Sequence, residues 1–471
     1  MSEEFDAVVD AVRERVTPDS AERARLDEVT ADLRARTREA VAALPVDADD
    51  VTITLVGSTA RDTWLAGDRD VDLFVCFPPD LSREDLEAYG LQVGHAVLPE
   101  GHEEYAEHPY VVGEVGGFDV DLVPCYAVDD ATAIQSAVDR TPFHNRYLAD
   151  RLDGSVAADI RVCKQFLTGI GVYGSDLRTR GFSGYLTELL VLEHGDFRSL
   201  IEAAADWHPP VRFDPEDHGR GRETAKPSRT DEVGSADLGF EDPLVVIDPT
   251  DPERNVAAVC SAASVARLQH YARELLADPR EKLFVAADPD PLSAAAVREA
   301  VADRGTTPVA LRFEAPDVVE DQLYPQLEKS REGLADELDR RGFDVFRSAA
   351  MADETAALVF ELAVAERPAV ERHEGPPVGV RDHAEGFYEA YADDADAYGP
   401  FVDGGRYVVE RPREFTAAAA FLDSDAVFDV ALGADIERAM AGECDLLVGE
   451  DVGALAAEFG VELARYFDPQ V

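Results

Sequence analysis

The chain has 471 residues, of which 46% are hydrophobic and 30% are charged. This length predicts several domains, and this composition excludes a mainly disordered chain because it supplies enough apolar side chains for cores. Asp and Glu number 97 against 44 Lys and Arg, for a net charge of −53. The acid is spread along the chain and lysine is rare, which indicates a halophilic source. In molar salt the Debye length falls to about 3 Å, so surface carboxylates barely repel one another.

Because such acidity is a whole-surface adaptation, it does not exclude nucleic acid as a partner, although phosphate binding then needs arginines concentrated locally. The five cysteines are far apart and form no CxxC pair, which argues against a zinc cluster or a disulfide framework. A reducing cytoplasm is therefore the expected location. Residues 1–20 lack a continuous apolar stretch, and no later run is long enough to span a bilayer, so we expect no membrane association.

The first predicted element is an amphipathic helix over residues 18–44, where capping residues precede apolar positions at helical spacing. Strands are predicted over 51–58, 70–77 and 115–126, with intervening helix. The first of these strands runs into a glycine turn. Together these elements predict a small α/β unit that ends near residue 149.

The next part of the chain, 152–194, has a helical pattern with short glycine breaks and predicts a second, mostly helical domain. Residues 209–237 are polar and rich in proline and glycine, which favours a long loop. Two interpretations of this loop stay open, a flexible linker and a segment that contacts RNA. Its basic residues are Arg212, Arg220, Arg222, Lys226 and Arg229.

Beyond the loop, residues 243–261 predict a strand, a turn and a helix that opens near Arg254. A third unit is expected to begin with a strand over 283–287, a helix, and a strand over 307–315. Residues 341–416 carry turn-rich signals of their own. They predict a fourth subdomain inserted into the third.

The strongest chemical signal is GSTARDTWLAGDRDVD, residues 57–72. Glycine and serine after a strand form a tight turn whose backbone N–H groups can face a phosphate. Asp70 and Asp72 project from one face of the next strand, because side chains two residues apart on a strand point the same way. The strand over 115–126 carries Asp119 and Asp121 on one face in the same manner.

Carboxylates this close repel unless a cation lies between them, and carboxylate oxygens suit Mg²⁺. A third carboxylate completes a site for two magnesium ions about 3.5–4 Å apart, which activate an attacking hydroxyl and steady a leaving pyrophosphate. The pattern therefore predicts phosphoryl transfer. The alternative is that these aspartates are merely solvated, which the combination of serine turn, DxD and a second acidic strand disfavours.

With these motifs the sequence resembles the archaeal-type CCA-adding enzymes, tRNA nucleotidyltransferases of the nucleotidyltransferase superfamily, whose hallmark is GS followed by DxD or ExD. The resemblance extends through all the predicted domains. It rests on the blocks EHPY (107–110), DVDLVPCY (119–126), TPFHNRYL (141–148), VYGSDLRTRGFSGYL (172–186), DPTDPERNVAA (248–258) and ERHEGPP (371–377).

The resemblance implies roles for individual residues. Asp70 and Asp72 would bind metal with Asp121 as the third carboxylate, and Asp119 is the reserve candidate. Many relatives have Glu at the first position, where this chain has the shorter Asp. The residues implied to bind nucleotide are Ser58 and Arg61 at the triphosphate of ATP and CTP, His144, Lys164 and Tyr173 in the pocket, and Arg254 at the base.

Three of these residues also have a plainer interpretation. His144 could satisfy the end of the first domain, and Lys164 could lie on a solvated helix face. Tyr173, next to a glycine, could be a core or turn aromatic. Arg254 at the start of a helix would be an unusual place for a cation, because a helix N-terminus carries partial positive charge.

The resemblance implies an α+β multidomain fold. Its parts are a nucleotidyltransferase head (1–149) with a small mixed sheet, a helical neck (150–282), an α/β body (283–340 and 417–471) and an inserted tail (341–416). The implied reaction is template-independent addition of C, C and A to the 3′ end of tRNA from CTP and ATP with Mg²⁺ and release of pyrophosphate.

The implied RNA contacts are the acceptor stem and the TΨC arm of tRNA, and a homodimer is compatible with this assignment. One alternative is a poly(A) polymerase or an oligoadenylate synthetase-like enzyme. Another is a catalytically silent RNA-binding protein, which three intact aspartates disfavour.

Overall fold

The structure is a computed structural model that describes residues 2–105, 107–219 and 239–471. The chain forms two compact units, which divide between Ala287 and Asp288. Most of the predicted polar loop, with Arg220, Arg222, Lys226 and Arg229, lies outside the described residues. Each unit combines helices with β-sheets, so the predicted α+β class is confirmed. Every described helix is too short or too polar to span a bilayer.

The first unit opens with a five-stranded mixed sheet in the order β1-β2-β5-β4-β3. Its strands are β1 (Thr52–Val56), β2 (Asp70–Phe77), β3 (His102–Tyr105), β4 (Pro109–Val115) and β5 (Phe118–Tyr126). Strands β2 and β5 are parallel, and the other pairs are antiparallel. The three predicted strands are confirmed. Two strands were not predicted: β3, whose side chains are all exposed and include two glutamates, and β4, which begins with proline and contains a glycine.

Four of the described helices belong to this part of the chain. They are α1 (Ser2–Val16), α2 (Ser20–Ala42), α3 (Gly57–Ala60) and α4 (Arg83–Val97). Helices α2 and α4 pack on one face of the sheet. The predicted helix over 18–44 is α2, which begins at a capping box formed by Asp19 and Glu22. Its apolar face packs with α4 and with the inner residues of the strands. Helix α1 instead packs into the core of the helical part that follows.

The helical part of the first unit consists of α5 (Thr141–Ala149), α6 (Gly154–Gly169), α7 (Gly184–His194), α8 (Phe197–Ala205) and α9 (Ala262–Ala277). Three short strands accompany them, β6 (Val211–Phe213), β7 (Leu244–Asp248) and β8 (Asp251–Asn255). The predicted helix start at Arg254 is wrong, because Arg254 lies in β8 and the helix begins only after Ser261. The tight β7–β8 turn, held by Asp248 and Thr250, sends the chain back as a strand.

The strand predicted over 283–287 is also wrong. Residues Glu281–Phe284 form a single 3₁₀ turn, and Leu283 and Phe284 are buried in the core of the first unit. A short apolar run such as LFVAA does not by itself distinguish a strand from a buried turn. The side chains fill a space against α6 rather than entering a sheet.

The second unit contains a four-stranded antiparallel sheet in the order β10-β11-β9-β15. Its strands are β9 (Thr307–Glu314), β10 (Val345–Ala352), β11 (Thr355–Leu362) and β15 (Cys444–Val448). The helices around it are α10 (Ala294–Arg304), α11 (Glu320–Arg340), α13 (Ala418–Leu422), α14 (Ala434–Met440) and α15 (Ala456–Phe467). The predicted helix and the strand over 307–315 are confirmed as α10 and β9.

A separate three-stranded sheet lies within the second unit. It is formed by β12 (Val370–Pro377), β13 (Tyr398–Asp403) and β14 (Arg406–Pro412), with α12 (Arg381–Tyr391) packed against it. Strands β10 and β11 fall inside the predicted tail 341–416, yet they belong to the four-stranded sheet, where β11 pairs with β9 and β10 pairs with β11. The separate sheet therefore starts only at Val370. The other domain limits stay predictions.

Candidate active site

Four aspartates lie side by side at the start of two parallel strands. Strand β2 pairs with β5 so that Asp70 is opposite Asp119 and Asp72 is opposite Asp121. The alternate residues of both strands are buried in the core behind the sheet. Because successive side chains point to opposite faces, the four carboxylates share the other face. The predicted facing of both aspartate pairs is confirmed.

The carboxylates carry an electrostatic cost in the absence of a cation. Burial raises the pKa of Asp72 to about 6, and repulsion from Asp121 and Asp70 adds to the shift while Arg61 opposes it. Burial also raises the pKa of Asp121 to about 6, with repulsion from Glu104 and Asp70. The pKa of Asp70 is raised too, first by burial and then by neighbouring aspartates. A divalent cation would relieve this repulsion.

The carboxylate side chains are not arranged to coordinate one ion together. Within the part of the chain that the structure describes, no three Asp, Glu, His or Cys side chains are placed to hold one ion. Metal binding by Asp70, Asp72 and Asp121 would therefore require their side chains to rotate. The donor set itself fits Mg²⁺, since it offers only carboxylate oxygens. The strand register favours Asp121 over Asp119 as the third ligand, because Asp121 is opposite the half-buried Asp72.

The turn after β1 brings Gly57 against Asp72. Gly57 has a φ of +75°, which other residues rarely adopt. A Cβ at this position would overlap the carboxylate of Asp72. Val56, the last residue of β1, pairs with Asp72, and Ser58 follows in the short helix α3. The turn therefore lies beside the carboxylates, while contact of Ser58 with a triphosphate stays a prediction.

Arg61 is held by a buried glutamate on α7. Its Nε donates to Oε2 of Glu188 at 2.9 Å, and its Nη2 lies 2.8 Å from the same oxygen. Its Nη1 donates to Oδ1 of Asn145 at 3.0 Å. The bidentate fork predicted for a triphosphate thus points at Glu188. Two of the five guanidinium N–H groups remain for a ligand, so the triphosphate role stays a prediction.

Lys164 reaches the same glutamate from α6. Its Nζ donates to Oε1 of Glu188 at 3.2 Å, to the backbone oxygen of Thr63 at 3.1 Å and to the Thr63 hydroxyl at 3.2 Å. The side chain is 3% exposed, so the interpretation of Lys164 as a solvated residue is wrong. Each ammonium proton has an acceptor, and direct contact with a phosphate would require one of them to be exchanged.

His144 and Arg254, which are distant in sequence, meet at Asp248. Nε2 of His144 lies 2.8 Å from Oδ2 of Asp248, and Nη1 of Arg254 donates to the same oxygen at 2.8 Å. The imidazole stacks on the ring of Tyr185 with the centroids 4.0 Å apart. Two of the predicted nucleotide residues are therefore brought together, although their binding of nucleotide stays a prediction.

A cavity of about 320 Å³ opens beside this pair. Its lining includes His144, Ser183, Tyr185 and Arg254. This volume is at the lower end of the roughly 300–1,000 Å³ that small-molecule sites occupy. The arrangement of an aromatic ring and a partly exposed guanidinium can bind a flat, polar group such as a nucleobase.

Tyr173 lies near Lys164, which contacts Glu188. A Cβ added to Gly184 would lie 3.2 Å from the Tyr173 hydroxyl and 3.9 Å from Nζ of Lys164, so both side chains approach the start of α7. Burial raises the pKa of Tyr173. The ring also packs on the core of the helical part. The two interpretations of Tyr173, packing aromatic and ligand, both stay open.

Comparison with known proteins shows what the chain is similar to. Three family profiles match it: "Nucleotidyltransferase domain" over residues 35–144, "tRNA nucleotidyltransferase, second domain" over 158–285, and "CCA-adding enzyme, C-terminal domain" over 304–449. The chain is 62% identical to the CCA-adding enzyme of Haloarcula marismortui, with 100% of both chains covered. It is 58% identical to that of Halorubrum lacusprofundi, with 99% of each covered.

The chain belongs to the CCA-adding enzyme family. The resemblance recognised in the sequence is thereby confirmed, and the relatives come from halophilic archaea, as the acidic composition predicted. Among solved structures, a cytoplasmic RNA terminal U-transferase covers 61% of this chain and 100% of its own, with 15% identity and a TM-score of 0.44.

Sequence reasoning missed three residues of this CCA-adding enzyme that organise the site: Glu188, Asp248 and Tyr185. Glu188 is a charged residue within the apolar run of α7, and Asp248 ends the buried strand β7. A carboxylate placed among residues that are otherwise core-forming needs a buried partner. That signal could have identified both acids, whereas nothing in the local sequence indicated the stacking of Tyr185 on His144.

Proposed function

We propose that this CCA-adding enzyme extends the 3′ end of tRNA by C, C and A, without a template, using CTP, ATP and two Mg²⁺ ions. Asp70, Asp72 and Asp121 hold the ions. The terminal 3′-hydroxyl of the tRNA attacks the α-phosphate of the nucleotide, the bond to the β-phosphate breaks, and pyrophosphate leaves. Membership of the CCA-adding family supports the reaction, and the cytoplasm is the proposed location.

The observation that carries the metal assignment is the register of β2 and β5. It places Asp72 opposite Asp121, with Asp70 two residues away on the same face. Burial raises the pKa values of all three carboxyls, and repulsion from neighbouring carboxylates adds to each shift, which favours a cation among them. When bound, Mg²⁺ would supply activation of the hydroxyl and neutralisation of the pyrophosphate charge.

The side chains around the carboxylates orient the nucleotide. Ser58 and Arg61 hold the triphosphate, and Lys164 and Tyr173 lie behind them. Because Gly57 has no side chain, the backbone of its turn can lie close to the carboxylate of Asp72. His144 and Arg254 line the cavity in which the base lies. Fixing these groups before the substrate arrives is the main contribution a protein makes to phosphoryl transfer.

The second unit binds the acceptor stem and TΨC arm of the tRNA. The three-stranded sheet of β12, β13 and β14 supplies part of that surface, since it presents exposed Tyr388, Tyr398 and Phe401 on and near its strands. Aromatic side chains are suited to contacts with nucleic acid. A homodimer stays a prediction.

The proposed function is tested by incubating tRNA that lacks its CCA end with labelled CTP and ATP, in molar KCl with MgCl₂, and sizing the products. Three additions in the order C, C, A followed by a stop are expected. With ATP alone, no extension of this tRNA is expected. Continued addition of A, or extension that ignores CTP, would identify a poly(A) polymerase instead, and binding without extension would identify a silent RNA-binding protein.

A further inference from the structure

Two buried carboxylates organise the predicted nucleotide residues into two groups. Glu188 on α7 and Asp248 at the end of β7 are both 0% exposed. Each contacts two of the residues that the family resemblance assigns to nucleotide binding. Glu188 contacts Arg61 and Lys164, while Asp248 contacts His144 and Arg254.

The partners of Glu188 come from separate parts of the first unit. Arg61 and Thr63 follow α3, and Lys164 lies on α6. Burial would raise the pKa of Glu188, but the charges of Lys164 and Arg61 and the hydroxyl of Thr63 hold it below its usual range. The carboxylate is therefore ionised and bonds at both oxygens, which leaves Arg61 little freedom to turn.

The partners of Asp248 are arranged in a similar way. Its Oδ1 accepts from the backbone N–H and the hydroxyl of Thr250, at 2.9 and 2.8 Å, while Oδ2 accepts from His144 and Arg254. Burial opposes ionisation, but the contact with His144 and the other donors keeps the pKa of Asp248 low. One oxygen thus fixes the carboxylate to its own turn, and the other fixes the two side chains at the cavity.

In the proposed function, the two groups would face different parts of a nucleotide. Arg61 ends the short helix α3, whose first residue, Gly57, lies against the carboxylate of Asp72, so the charge of Arg61 lies near the carboxylates where the triphosphate reacts. Arg254 is 36% exposed and lines the cavity of about 320 Å³ together with His144. The Glu188 group therefore belongs to the phosphate end of the substrate, and the Asp248 group to the base end.

We propose that Glu188 and Asp248 are positioning residues with separate tasks: Glu188 aims Arg61 at the triphosphate, and Asp248 aims Arg254 at the base. This inference rests on the proposed function and adds two residues to it. Neither carboxylate touches substrate, because both are fully enclosed by their partners. Loss of Glu188 weakens binding of every nucleotide alike, whereas loss of Asp248 weakens the choice among nucleotides.

The experiment compares Glu188→Gln and Asp248→Asn with a matched control, Glu361→Gln. Glu361 is also 0% exposed, and it accepts from Arg304 at 2.6 Å and from the Thr306 hydroxyl at 2.6 Å, but it lies in the second unit. All three variants lose a buried charge, so all three should lower the melting temperature. Melting temperature and tRNA binding are measured first, in molar KCl.

Steady-state extension of tRNA then separates the two tasks. Glu188→Gln should raise KM for CTP and ATP by the same factor, about tenfold or 1.4 kcal/mol, with a smaller change in kcat. It should also weaken inhibition by inorganic pyrophosphate, which carries no base. Asp248→Asn should leave pyrophosphate inhibition unchanged and lower the preference for CTP and ATP over UTP and GTP. Glu361→Gln should change neither.

Milder variants keep the test decisive if a charge variant does not fold. Thr63→Val removes one donor to Glu188 and should raise both KM values in the same ratio, while the control Thr306→Val should not. Thr250→Val loosens Asp248 and should relax nucleotide choice. Equal effects of the Glu188 and Asp248 variants on pyrophosphate inhibition, or effects that follow melting temperature alone, would overturn the inference. Failure of the unaltered protein to add CCA would instead overturn the proposed function.

Discussion

Asp72 on β2 lies opposite Asp121 on the parallel strand β5, and the pKa of each carboxyl is raised to about 6. Two aspartates that are 49 positions apart in the chain thus interact electrostatically. The nearby pair Asp70 and Asp119 lies at the more exposed end of the same strands. This difference in burial distinguishes the aspartates that the sequence alone could not rank.

The third metal ligand can be identified by comparing Asp121→Asn with Asp119→Asn. We expect Asp121→Asn to lower the rate of nucleotide addition by more than about 100-fold. Substitution of a residue that only contacts a metal ligand can already lower activity by about 100-fold. The more exposed Asp119→Asn should cost less than about tenfold. Single-turnover extension of tRNA at saturating Mg²⁺ measures both rates. The reverse order would assign the third ligand to Asp119.

Stabilisation by Mg²⁺ should depend on pH. The pKa values of Asp72 and Asp121 are raised in the folded state, so their ionisation opposes folding, and this cost grows as the pH rises from about 4 through about 6. Bound Mg²⁺ removes the cost. The rise in melting temperature caused by MgCl₂ should therefore be larger at neutral pH than near pH 4, where the carboxyls are protonated.

The control for this measurement is the double variant Asp72→Asn with Asp121→Asn. Without Mg²⁺ at neutral pH it should be more stable than the unaltered protein, by on the order of 1 kcal/mol, since the full pKa shift overstates the energy of half-buried groups. It should also lose the response to MgCl₂. An equal response of both proteins would place the ion elsewhere.

Gly57→Ala should inactivate the enzyme, because a Cβ at this position overlaps the carboxylate of Asp72. Gly67→Ala is a matched control, since Gly67 also has a positive φ, +90°, but no atom lies within 4 Å of its added Cβ. Both substitutions should cost about 1 kcal/mol or more of stability through backbone strain. Unfolding in urea measures that cost, and the extension assay should separate the two variants by activity.

Activity and stability should both increase from dilute to molar KCl. The net charge of −53 destabilises the compact state through repulsion, and salt screens it. Melting temperature and extension rate are measured across a KCl series. Sucrose serves as the control, because it favours burial without screening charge. An equal effect of sucrose would contradict the screening explanation.

Much of the fold follows from local patterns. Alternation along DVDLFVCF and FDVDLVPCY placed the aspartates on one face and the apolar residues in a core, and both strands have the predicted bounds within a few residues. Capping residues and helical spacing likewise predicted α2. The errors fell where local signals were weak, at the short apolar run 283–287 and at Arg254, which lies in β8 rather than in a helix.

The sequence by itself determined the family, the carboxylate motif and the order of the main elements, because these depend on spacing along the chain. Only the tertiary structure decided which aspartates face each other and which buried acids hold the basic side chains. Glu188 meets Arg61 across 127 residues, and Asp248 meets His144 across 104. Contacts over such distances depend on how strands and helices pack, and no periodicity in the sequence records them.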